Sequence, residues 1–198
     1  MKDTRIMNRS LMRVLATAVA ILLMMTGLSA CSGDSSDDAS GSGNSAETSA
    51  AMKSISEFTT VDLDGNEVTQ AVFADAKITM INFWGTYCSP CIKEMPELQK
   101  ISKKYEGDAQ IIGVPIDVDF SDRDSDAYKN ALNYLEWAEA DFLNIQLAGG
   151  LMEYAETMEY VPTTIFVDPE GNLIGEPVIG PMTEEYKQRI EEYLEQNA

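Results

Sequence analysis

The chain has 198 residues, 33 acidic against 14 basic side chains, no histidine and 3 cysteines, which fits one ordinary domain plus an N-terminal extension. A formal charge of -19 with no Lys/Arg cluster excludes a phosphate-binding surface and so a nucleic-acid role, and it makes anionic headgroups poor partners. The lack of histidine excludes imidazole-based nucleophilic catalysis and the commonest zinc ligand.

The chain opens as an address. Lys2, Arg5, Arg9 and Arg13 precede an apolar run from Val14 to Met25, followed by Gly27, Ser29 and Ala30, the pattern of a secretory signal too short to span a membrane comfortably. Leu28-Ser29-Ala30-Cys31 resembles the lipobox of bacterial lipoproteins, in which the cysteine is acylated after cleavage. A plain signal peptide with a chance cysteine, or an uncleaved anchor, is the competing reading. From Ser32 to Ala51 the residues are mostly Ser, Gly, Asp, Ala and Asn, which cannot bury enough apolar surface to fold, so this stretch reads as a tether. The expected organisation is a signal over 1–30, a lipidated Cys31 with its tether over 31–51, and a folded domain over 52–198.

Phe58–Leu63 and Glu67–Thr69 flank an Asp64-Gly65-Asn66 turn and predict a hairpin. Ile78–Phe83 is almost wholly apolar, as expected of a strand covered on both faces. A helix is expected from about Cys91 to Tyr105, with Met95, Leu98, Ile101, Ser102 and Tyr105 at helical spacing and Pro96 as a kink. Gln110–Val118 reads as a second buried strand in which Pro115, lacking a ladder donor, predicts a bulge or early end. Ala127–Ala138 follows as a helix with Tyr128, Leu132 and Leu135 on its inner face. A weaker strand at Phe142–Leu147 and a short helix at Leu151–Met158 come next. Thr163–Val167, the Pro169-Glu170-Gly171-Asn172 turn and Leu173–Ile179 predict a second hairpin. Thr183 is expected to cap a last helix with Tyr186, Ile190, Tyr193 and Leu194 on one stripe. This alternation predicts an α/β fold: a mixed central β-sheet with helices on both faces and an N-terminal β-hairpin extension.

The chemistry concentrates in Trp84-Gly85-Thr86-Tyr87-Cys88-Ser89-Pro90-Cys91, where a buried strand hands over to a helix. If Cys31 carries lipid, Cys88 and Cys91 are the cysteines left to the domain. Free N–H groups and the macrodipole at a helix start favour an anion, so the Cys88 thiolate is stabilised and becomes the attacking sulfur. Cys91, one turn inside, is placed to resolve the mixed disulfide. Pro90 supplies a φ that the first helical turn accepts. A zinc site would need two further ligands from carboxylates, and a structural disulfide closing so short a loop would restrain little of the unfolded chain. Peroxidase chemistry would want Thr or Ser where Gly85 stands, with a supporting arginine, and Arg123 is the only one in the middle of the chain.

Trp84–Leu98, WGTYCSPCIKEMPEL, resembles the active-site segment of the thioredoxin superfamily, in particular its membrane-anchored, extracytoplasmic TlpA/ResA-like branch, over roughly Phe58–Leu194. Val161-Pro162-Thr163-Thr164 resembles that family's cis-proline loop, which faces the cysteines and presents backbone to a substrate peptide. Phe166-Val167-Asp168 and Gly171 resemble the hairpin that follows. Asn82 stands where cytoplasmic thioredoxins carry a buried acid, and Glu94 is the glutamate typical of this branch. The departures are Pro115 and the stretch from Ala138 to Gly150.

The resemblance implies catalytic Cys88, Cys91 and Glu94, with Trp84, Tyr87, Pro90, Val161 and Pro162 facing the substrate. Glu94 could instead be a solvated acid that only complements the helix dipole, and Trp84 and Tyr87 could be core and rim aromatics. The implied protein is a monomeric thiol-disulfide oxidoreductase without cofactor or metal, lipid-anchored outside the cell membrane. It would take electrons from a transmembrane thiol carrier and reduce a protein disulfide, such as that of an apocytochrome c in cytochrome c maturation or of a methionine sulfoxide reductase. A disulfide-forming oxidase with the same motif, and a lipoprotein using the fold only for binding, are the alternatives.

Overall fold

The computed structural model describes residues 52–198, and the expectations for the signal, Cys31 and the tether lie outside the described residues. The N-terminal hairpin pairs β1 (Thr59–Val61) antiparallel with β2 (Glu67–Thr69). Its turn is tied by the Asp62 carboxylate, which accepts from the Asp64 and Asn66 amides and from the Asn66 side chain. Gly65 there takes a φ of +92°, open to a residue without Cβ.

The main sheet has β3 (Ile78–Trp84) at its centre, β4 (Ala109–Pro115) and the two-residue β5 (Leu143–Asn144) on one side, and β6 (Thr163–Val167) and β7 (Val178–Ile179) on the other. β3, β4 and β5 are parallel, whereas β6 and β7 join antiparallel. Every residue of β3 is buried, as its apolar run predicts. β4 ends at Pro115, paired with Trp84, and the Ile116 N–H just beyond it still donates to the Trp84 carbonyl at 2.8 Å.

Both parallel crossovers step in the same direction across the sheet, so their helices, α1 (Ser89–Lys104) and α2 (Asp126–Trp137), fall on one face. The short α3 (Gly149–Ala155) lies on the return path and covers the other face, while α4 (Thr183–Gln196) packs beside α1. Cys91, Met95, Leu98 and Ile101 of α1 join Met80 and Trp84 of β3 and Tyr186 and Ile190 of α4 in one core. Ile81, Phe83, Ile112, Val114, Ile165 and Val167 form a second core with Leu151 and Tyr154.

Four expectations are corrected. Leu132 is 41% exposed, and Ala131 takes the inward position between Tyr128 and Leu135. The strand expected over Phe142–Leu147 shrinks to two residues because only Ile112 and Gly113 of β4 offer it partners. The partner of β6 after the second turn is one bridge at Leu173 and then β7, not a continuous strand. Thr183 is the first residue of α4 and makes no side-chain cap, the capping position falling on Met182.

Candidate active site

β3 delivers the chain to the cysteines with alternating side chains, Met80, Asn82 and Trp84 toward α1, and Ile81 and Phe83 toward the opposite core. Trp84 is fully buried, and its indole Nε1–H donates to Asn144 Oδ1 at 3.2 Å. Asn144 is held in turn by its own amide donating to the Phe142 carbonyl at 3.1 Å. The next loop is clamped from β4's side: the Asp117 carboxylate accepts the Thr86 N–H at 3.0 and 3.2 Å and the Thr86 hydroxyl at 2.5 Å. Tyr87 projects outward at 67% exposure.

Cys88 and Cys91 are joined by a disulfide, Cα atoms 5.3 Å apart. Cys88 is the N-cap of α1, and its Sγ accepts the Cys91 N–H at 3.2 Å. That is the contact by which a helix start would favour a thiolate. Pro90 sits in the first turn, where its missing N–H costs nothing. In this oxidised state both cysteines are buried, Cys88 at 6% exposure and Cys91 at 1%.

The Val161–Pro162 bond is cis, and the Val161 carbonyl oxygen lies 3.6 Å from Cys88 Sγ. The loop is held at two further points. The Thr163 hydroxyl donates to the Tyr160 carbonyl at 2.7 Å, and the Gly180 N–H donates to the Pro162 carbonyl at 2.8 Å.

Glu94 is 4% exposed, facing the sheet one turn beyond Cys91. Asn82 Nδ2 donates to its Oε1 at 3.1 Å and to the Thr164 hydroxyl at 3.0 Å, Asn82 and Thr164 being register partners across β3 and β6. The Tyr186 hydroxyl reaches Glu94 Oε2 at 3.3 Å and donates to the Gly180 carbonyl at 2.8 Å. Burial pushes the Glu94 carboxyl up from 4.5 to about 7, against the opposing pull of the Asn82 and Tyr186 hydrogen bonds. Burial also raises the Tyr186 phenol, aided by the Glu94 charge. A carboxyl that changes charge near neutrality can give or take a proton. Among the described residues no cluster of three or more Cys, Asp or Glu could hold a metal.

The structure thus brings Cys88, Cys91, Pro90 and Val161-Pro162 together, with Glu94 buried one helical turn beyond Cys91. Trp84 is a buried support anchored on Asn144, whereas Tyr87 is on the rim. The hydrogen bonds to Glu94 come from Asn82 and Tyr186, whereas the Trp84 indole donates to Asn144. Sequence reasoning missed Asp117, Asn144 and Tyr186 as parts of the site. Asp117 and Asn144 carry no local motif, and Tyr186 was legible only as a position on the inner stripe of α4.

The AhpC/TSA family profile matches residues 52–175. The thiol-disulfide oxidoreductase ResA of Bacillus thuringiensis subsp. konkukian is 32% identical over 143 residues, 72% of this chain and 75% of its own. ResA of Halalkalibacterium halodurans is 30% identical over 142 residues, 70% of this chain and 72% of its own. In fold, the chain is similar to a thioredoxin-family thiol:disulfide interchange protein from Chlorobium tepidum, with a TM-score of 0.56 at 19% identity over 72% of this chain and 96% of that one. It is also similar to StoA from Bacillus subtilis, with a TM-score of 0.53 at 18% identity over 68% of this chain and 96% of that one. With its cysteine pair at a helix start, its cis-proline loop alongside and these relatives, the chain belongs to the AhpC/TSA family and, within the thioredoxin superfamily, to the TlpA/ResA-like thiol-disulfide oxidoreductases.

Proposed function

We propose that this oxidoreductase works as a reductant of protein disulfides outside the cell membrane, held there by lipid on Cys31. The observation that carries the redox part is the Cys88–Cys91 disulfide at the start of α1, with the Val161 carbonyl 3.6 Å from Cys88 Sγ. In the reduced protein the Cys88 thiolate attacks a substrate disulfide, one substrate sulfur leaves, and a mixed disulfide forms. Cys91 then attacks Cys88 Sγ, releasing the second substrate sulfur and closing the disulfide seen here. Neutral Glu94, buried one helical turn beyond Cys91, would give a proton toward the leaving sulfur, and its anion would help deprotonate Cys91. The Val161-Pro162 backbone and the Tyr87 rim receive the substrate chain, while Trp84 and Pro90 shape the cysteine loop from within.

The transmembrane thiol carrier as electron donor, and an apocytochrome c or methionine sulfoxide reductase disulfide as substrate, rest on the TlpA/ResA resemblance. The positively charged start, the apolar run and Leu28–Cys31 support the anchor. Among the described residues no helix is long and apolar enough to cross a membrane.

Trapping tests the roles: Cys91→Ser should accumulate mixed disulfides through Cys88, and Cys88→Ser should not. Accumulation in Cys88→Ser instead reverses the assignment. The purified protein should have a potential nearer the roughly -270 mV of thioredoxin than the roughly -120 mV of a strong oxidant, and a value at the oxidant end makes it a disulfide-forming enzyme. Glu94→Gln should slow disulfide reduction by about ten- to a hundredfold, and a parental rate removes Glu94 from the chemistry. Mass spectrometry of the mature protein should find acylated Cys31 as its first residue.

A further inference from the structure

Tyr186 is a fully buried phenol that the redox steps leave unused. Its oxygen lies 2.8 Å from the Gly180 carbonyl and 3.3 Å from Glu94 Oε2, yet it has one proton to donate. The Gly180 carbonyl can only accept. When the phenol donates there, the contact with Glu94 is satisfied only if Glu94 is protonated and donates to the phenol oxygen. When Glu94 is ionised, the carboxylate competes for the phenol proton, and a charged acceptor makes the stronger bond. The Gly180 carbonyl then loses the phenol and keeps only the Met182 N–H, 2.9 Å away.

Gly180 is not an arbitrary acceptor. Its own N–H donates to the Pro162 carbonyl at 2.8 Å, and Val161, one residue earlier, faces Cys88 Sγ. We propose that Tyr186 is a positioning residue that couples the protonation of Glu94 to the turn holding Pro162, so that the proton state beneath the cysteines is transmitted to the substrate-receiving loop. The inference rests on the reading of Glu94 as the titrating carboxyl.

The surroundings leave few competing charges. From α1 the facing groups are Glu94 and, one turn earlier, Cys91, which is tied up in the disulfide. β3 contributes Asn82 and β6 Thr164, both uncharged, and Thr164 also faces the phenol. On α4 itself Arg189 lies over the Phe166 ring at 5.9 Å and pairs with Glu185 at 2.9 Å.

The test uses the oxidised full-length protein, in which the disulfide keeps both thiols from titrating. Carbon NMR should show the Gly180 carbonyl and the Glu94 carboxyl titrating with one shared midpoint. Tyr186→Phe, which keeps the ring in the core, should abolish the Gly180 response. It should also raise the Glu94 midpoint by roughly half a pH unit or more, because a donor to the carboxylate has been removed. Glu94→Gln should abolish the Gly180 response as well. A retained Asn82 side-chain amide response in Tyr186→Phe confirms that the fold and the Glu94 titration survive. A Gly180 titration that persists unchanged in either variant overturns the coupling. The two readings fail separately: disulfide reduction rates in Glu94→Gln judge the proton role, and the carbonyl titration judges the coupling.

Discussion

The two faces of the central sheet are built on opposite terms. Away from α1, Ile81 and Phe83 meet Ile112, Val114, Ile165 and Val167, and Phe83 stacks on Tyr154 with ring centroids 5.7 Å apart. Toward α1 the same strand presents Asn82, which with Glu94, Thr164 and Tyr186 makes a buried polar group inside an otherwise apolar core. A carboxyl with so little solvent is a poor way to stabilise a fold, since its charged form has lost water that a few hydrogen bonds only partly replace. Both faces carry an apolar core, but among the described residues only the one toward α1 holds a buried carboxyl, which gives up stability and gains a group that titrates near neutrality, while the far, dry face holds none.

The comparison can be broken by variants that separate stability from activity. The largest expected effect is on the dry face. Phe83→Ala removes a fully buried ring and should lower unfolding stability by about 3–5 kcal/mol in urea titration, with reduction rate per folded molecule little changed. A rate loss at full folding would mean that the far face shapes the site.

Next comes the pH profile of stability. The folded-state pKa of Glu94 is raised from 4.5 to about 7, so between those values the folded protein holds a proton that the unfolded chain has lost. Stability attributable to this group is therefore fully present below about 4.5, falls as pH rises toward about 7, and is flat above that. Glu94→Gln should flatten this decline and be the more stable protein above neutrality, by an amount on the order of a few kcal/mol at most. A parent and variant with parallel profiles would show that the carboxyl is not desolvated in solution.

A smaller effect is expected at Trp84→Phe, which keeps an aromatic ring but takes the indole donor from the buried Asn144 Oδ1. The cost should be about 1–3 kcal/mol by thermal or urea unfolding, with the Cys88 alkylation rate near the parental one. A large change in alkylation rate would make Trp84 part of the sulfur's environment and not only its support.

What could be read in advance follows from the range of the forces involved. The strand at Ile78–Trp84, the helix start at Cys88 and the turn at Asp62–Asn66 depend on neighbours within a few residues, so composition and spacing show them. The same locality misleads where partners decide. Leu132 has the right spacing for the core yet faces solvent, and Thr183 is a good capping residue in a place where Met182 is the cap.

The sequence by itself determined the element order and the cysteine pair at a strand-to-helix junction, because hydrophobic period, helix-end electrostatics and cysteine spacing are local properties. Glu94 was marked only by its place after Cys91 and by family resemblance. The packing of α1 against the sheet and α4 desolvates its charge, and the same packing brings Asn82 on β3 and Tyr186 on α4, 12 and 92 positions away, to hydrogen bonds that partly offset that burial. The same holds for Asp117 at Thr86 and Asn144 at Trp84, 31 and 60 positions apart, since a hydrogen bond between distant residues leaves no trace in the spacing of either.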